Sequence, residues 1–160
     1  MVDSVVMRSL PLVAGLIGRT FGVSVIQDES ETTASVDQHK VVRIAPLRDV
    51  GTQEEADLVI GKIIHECVHL RFGDMSLVGS TPLVNVLENI LEDIFGEREQ
   101  AREYPGAPAM IGRALEIMVE RGLFAMPSGD ASPAQLLTAM LICGLRSQEL
   151  GQAILQDRYE

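Results

Sequence analysis

The sequence predicts one α+β domain over residues 1–160, mainly helical, with a small two- or three-stranded sheet ahead of a central motif helix. Three observations carry this. β-branched runs of strand length are confined to residues 23–44. From residue 53 onward, apolar residues recur at helical spacing in four runs punctuated by proline and glycine. The first of those runs contains His65-Glu66-Cys67-Val68-His69, an H-E-x-x-H string that uses two of the three histidines in the chain.

Taken in order, residues 3–19 read as a helix that Asp3 or Ser4 could cap. Val23–Ile26 is a short strand, and Asp28–Thr33 a polar loop. Ala34–Asp37 and Lys40–Ile44 form a hairpin about Gln38-His39, ended by Pro46. Thr52-Gln53-Glu54-Glu55 is a capping box, so the motif helix runs from Gln53 to about Phe72, with Gly73 as its stop. Gly79-Ser80 is a loop. Thr81-Pro82 opens the next helix, to about Arg102, with Leu83, Leu87, Ile90, Leu91 and Ile94 as its core stripe. Ala109–Phe124 is a third amphipathic helix, stopped near Gly122 and Pro127. Ser132-Pro133-Ala134-Gln135 caps a last helix through Leu145, with a continuation past Gly151 to about Gln156.

Net charge is -10, with no lysine or arginine cluster, which argues against nucleic acid and against an anionic membrane surface. The apolar N-terminal run is too short to span a bilayer and lacks the basic flank of a signal peptide. Cys67 and Cys143 sit in apolar helical contexts and read as two buried thiols in a reducing compartment. The expected location is therefore cytoplasmic.

On the motif helix, Ala56, Val59, Ile60, Ile63, Cys67 and Leu70 form one stripe. His65 and His69 fall opposite it, beside Leu58 and Lys62, one turn apart on one face. Two such histidines can share one metal ion, with Glu66 as general base on metal-bound water. A catalytic zinc takes three protein ligands and keeps a position for water. The following helix is the source of the third: Asn89, Asp93 and Glu97 share one flank, Glu88 and Glu92 the other, and spacing allows Glu88, Glu92 or Asp93. For any single carboxylate there, a solvated face is the simpler reading. His39 reads as an exposed turn residue, Cys67 as packing, and Met110, Met118 and Met140 as core.

A family resemblance rests on Lys40–Pro46, on His65–Asp74, and on Asn89-Ile90-Leu91-Glu92-Asp93. Together they resemble the strand-then-helix unit of zincin metallopeptidases, and in particular the metallopeptidase domain that precedes a von Willebrand A domain. Cobaltochelatase CobT-type subunits share this pattern. Phe95 stands where the pattern has arginine. Asp93-Ile94-Phe95-Gly96 is also similar to a stretch of thermolysin-type gluzincins, in which a ligand glutamate precedes the aspartate by four residues; here that position is Asn89. Carried over residue by residue, the two likenesses imply Glu92 as third ligand and Asp93 hydrogen-bonded behind the ligands.

The resemblance implies a Zn2+-dependent peptidase acting on a peptide or protein substrate, with His65, His69 and Glu92 on the metal and Glu66 as base. A strand near Lys40–Ile44 would line the cleft and pair with extended peptide. The alternative it implies is a non-proteolytic metal-binding adaptor that works with a von Willebrand A domain and a MoxR-type AAA+ ATPase. A third is a chelatase component. The chain carries no Asp-x-Ser-x-Ser motif of a von Willebrand domain, which leaves an excised N-terminal domain or a compact stand-alone version open.

Overall fold

The computed structural model describes residues 5–31, 33–46, 52–73, 81–123, 127–128, 130–152 and 155. The caps proposed at Asp3 and Ser4, the loop at Gly79-Ser80, Phe124 and Gln156 lie outside them.

Helix α1 (Val5–Ile17) leads into strands β1 (Ser24–Gln27), β2 (Ala34–Val36) and β3 (Val41–Ile44). Four helices follow: α2 (Gln53–Phe72), α3 (Pro82–Glu103), α4 (Ala107–Glu120) and α5 (Pro133–Leu150). The architecture is α+β and helix-dominated, with one three-stranded sheet ordered β1-β3-β2. β1 runs parallel to β3 and β2 antiparallel to it. The β2–β3 hairpin turns without a favoured Asn-Gly pair. Instead Asp37 Oδ1 accepts the backbone N–H groups of His39 and Val41, and Lys40 takes the left-handed conformation at φ 61°.

α2 starts where Thr52 accepts the Glu55 N–H, while the Glu55 carboxylate turns to Arg121 at 2.9 Å. The full reciprocal box forms at Ser132 and Gln135, ahead of α5. That last helix stops at Gly151, left-handed at φ 66°, and does not continue past it as the sequence suggested.

α2 is the centre of the molecule and is buried on several sides rather than along one stripe. Val59, Ile63 and Cys67 pack with Leu10 and Ala14 of α1 and with Val42 and Ile44 of the sheet. On another side Leu58 meets Ala114 and Ile117 of α4, and Ile64 meets Ala107 and Ile111. The histidine side of α2 is thus also a packed side, covered by α3 and α4. Two glycines permit the close approach. A Cβ on Gly61 would lie 2.4 Å from Ala114 Cβ, and one on Gly96 would lie 2.1 Å from Val68 Cγ1.

The core stripe expected on α3 is corrected in part: Ile90 and Ile94 are buried as expected, but the leucines are not. Leu91 is 59% exposed and Leu83 38%, whereas Ile90, Asp93, Ile94, Gly96, Glu97 and Gln100 are buried. The helix is rotated so that carboxylates, not leucines, face α2. Met110 and Met140 are likewise exposed, not core. Cys67 and Cys143 are both buried free thiols. Among the described residues no helix is long and apolar enough to cross a membrane.

Candidate metal centre

Helical spacing brings His65 and His69 edge to face, their ring centroids 5.4 Å apart. The Gly96–Val68 crossing brings α3 against this face, and Asp93 lies one turn before Gly96. Asp93 Oδ1 is 3.1 Å from His69 Nε2 and 3.6 Å from His65 Nε2. It is buried and placed to accept from whichever ring nitrogen carries a proton, which is what raises His69. Two imidazole nitrogens and a carboxylate oxygen that converge inside the protein are also a donor set for a divalent cation. Metal–ligand bonds of about 2.0–2.1 Å in a tetrahedral set place donor atoms about 3.3 Å apart. The donors of His65, His69 and Asp93 all lie within 4.8 Å of one another, so the set fits with small adjustments.

The other nitrogens are held from behind. His65 Nδ1 lies 2.9 Å from Glu97 Oε1, which fixes the ring with Nε2 toward Asp93. His69 Nδ1 lies 3.4 Å from Glu92 Oε2. Asp93 is among the converging donors, and Glu92 lies beside the other ring nitrogen of His69. Glu88 and Asn89 are exposed on the cleft wall and outside the donor set.

Arg146 of α5 completes the arrangement. Its guanidinium lies 3.5 Å from Asp93 Oδ2, hydrogen-bonds Glu97 Oε1, and donates through Nε to Gln152 at 2.9 Å. Gln152 in turn donates to Glu97 Oε2 at 3.2 Å. Sequence reasoning missed Arg146 and Gln152. The available signal was that Arg146 is the first charge after Asp130, on a helix whose one other charge is Glu149.

These contacts set the protonation states. Burial pushes the carboxyls of Asp93 and Glu97 up, but the histidines and Arg146 hold both below the ordinary range. Burial pulls His65 down, yet Glu97, Asp93 and Glu66 raise it to about 9. His69 is raised in the same way, against burial, chiefly by Asp93. Glu66 is 5% exposed, and burial raises its carboxyl.

The site opens into a cleft of about 1000 Å³. Its walls are α2 with Lys62, His65, Glu66 and His69, the α3 face from Asn85 to Asp93, α4, and strand β2. The expectation that Lys40–Ile44 lines it is corrected: β3 is the central strand, its two edges taken by β1 and β2. Thr33–Val36 line the cleft instead. Thr33 and Asp37 bond across to Ala45 and Val41, so alternation turns the backbone groups of Ala34 and Val36 away from β3.

Compared with family models, curated proteins and solved structures, the chain matches none.

Proposed function

We propose that this domain is a zinc-dependent peptidase in which His65, His69 and Asp93 hold the metal and Glu66 is the general base. The observation that carries the reading is the convergence of Asp93 Oδ1, inside the protein, on the Nε2 atoms of both histidines. Zinc bound there supplies Lewis acidity and lowers the pKa of a water at its open position. Arg146 occupies the other carboxylate oxygen of Asp93, which directs Oδ1 alone at the ion.

Glu66 precedes the first gap of the motif on the same helix and lines the same cleft as the ligands. Its burial raises its proton affinity, which suits a group that takes a proton from the attacking water and returns it to the leaving amine. The outward N–H groups of Ala34 and Val36 and the Val36 C=O offer an extended peptide in the cleft a strand to pair with.

The experiment is elemental analysis of protein purified without chelator, followed by peptide hydrolysis assays on wild type and Glu66→Gln. The reading expects one zinc per chain in both proteins and a rate at least about a hundredfold lower in the variant. No metal, or an unchanged rate, contradicts it. Stoichiometric metal with no hydrolysis by wild type is the outcome expected of the non-proteolytic adaptor.

A further inference from the structure

Lys62 is a buried cation that the chemistry above does not use. It stands one turn before Glu66 on α2, is only 9% exposed, and lines the metal cleft. Glu55 and Glu66 influence it electrostatically, but no described residue gives it a hydrogen bond or ion pair. Glu55 is instead paired with Arg121 at 2.9 Å. The other basic residue on the cleft wall, Arg146, is engaged by Asp93 and Glu97. A lysine whose side chain is mostly covered, yet which lines the cleft with no ion pair of its own among the described residues, is placed to offer its charge to a ligand there. The chain has 23 acidic residues against 13 basic ones, so a lysine in this position is not a consequence of basic composition.

We propose that Lys62 is the specificity residue of the cleft and receives a carboxylate of the substrate. This rests on the peptidase reading of the same site. Lys62 and Glu66 are four positions apart, a rise of about 6 Å along α2. An extended peptide advances about 3.3–3.6 Å per residue, so the carboxylate belongs one or two residues from the bond that is cut. The same cleft is lined in part by apolar side chains, Ala114, Leu115, Met118 and Ile142 among them. A charge-assisted contact there discriminates against a neutral isostere. The substrate class is therefore an acidic peptide, its carboxylate being either a Glu or Asp side chain or the chain terminus.

The test is calorimetric titration of zinc-loaded protein carrying Glu66→Gln, so that peptide is not consumed. The probes are hexapeptides in matched pairs: Glu against Gln at each position, and free against amidated C-terminus. At least one acid should bind about tenfold or more tightly than its neutral partner. A preference in the Glu/Gln pairs assigns a side chain, and one in the terminal pair assigns the chain end. Lys62→Met should abolish the preference while leaving the neutral peptide's affinity within about twofold, and Lys62→Arg should keep part of it. Equal affinities, no binding of any acidic probe, or a preference that survives Lys62→Met overturns the proposal. Hydrolysis by wild type is followed separately. A Lys62-dependent preference without hydrolysis overturns the peptidase reading alone.

Discussion

A histidine that binds a metal ion must be turned correctly and must give up its proton. Glu97 turns His65, but the same carboxylates that surround the ring hold its pKa near about 9 in the metal-free protein, against an ordinary 6.5. At neutral pH His65 of the metal-free protein is therefore protonated. Binding should release protons, and apparent zinc affinity should rise about tenfold per pH unit for each displaced proton up to about pH 9. The same shift has a sign for stability. The folded pKa is raised, so the contribution is fully present below pH 6.5 and is lost as pH rises through about 9. Denaturant unfolding of metal-free protein across that range should show stability falling with pH.

Single substitutions separate the neighbours at this scale. Asp93→Asn should abolish stoichiometric zinc, while Glu92→Gln should weaken it modestly, as for a partner of a ligand. Glu97→Gln should cost about 10–100-fold in zinc affinity, since it loosens His65 without removing a ligand. A competition titration with a fluorescent chelator reads all three. Arg146→Met leaves Asp93 and Glu97 buried without their counter-charge. It should cost the metal-free protein about 3 kcal/mol. Bound zinc, itself a counter-charge, should recover part of that loss.

At the scale of elements, the meeting of α2 and α3 decides whether the ligands converge. Gly96→Ala places a methyl against Val68, where a Cβ would lie 2.1 Å from Cγ1. Overpacking of this kind costs about 1–3 kcal/mol, and the gain in helix propensity offsets no more than about 1 kcal/mol. The variant should unfold at lower denaturant and bind zinc more weakly, because Asp93 and Glu97 ride on the displaced helix. Gly112→Ala, where a Cβ meets nothing within 4 Å, serves as its control.

Element boundaries were largely legible in the residues. α2 occupies Gln53–Phe72 as expected from Thr52 and Gly73, and the hairpin pairs Ala34 with Ile44 in the expected antiparallel sense. What was not legible was rotation and neighbourhood. A single stripe on α2 was read from periodicity, but a central helix packs on several sides, and its apolar residues then spread around it. On α3 the leucines looked like core, yet Asp93 and Glu97 hold the inner side because the histidines and Arg146 compensate them. Periodicity weighs hydrophobicity alone, and a paired buried carboxylate is invisible to it. Strand order was equally hidden: short β-branched runs do not say which of them is central.

For the whole molecule, the site is a clasp between elements distant in sequence: α2, α3 and α5 each contribute a charged group to it. A divalent cation bound by His65, His69 and Asp93 would tie α2 to α3 in the folded state alone. Zinc should therefore raise the melting temperature, and chelator should lower it. A ligand present at a thousand times its Kd adds about 4 kcal/mol of stability. Calorimetric melting with and without chelator reads the difference, and it should shrink sharply in Asp93→Asn.

The most direct measurement is anomalous diffraction at the zinc edge from crystals of the zinc-loaded protein. One anomalous peak is expected, bonded to His65 Nε2, His69 Nε2 and Asp93 Oδ1, with a further position open to the cleft. A zinc-loaded crystal without a peak between α2 and α3, or a peak bonded to Glu92 in place of Asp93, would contradict the account.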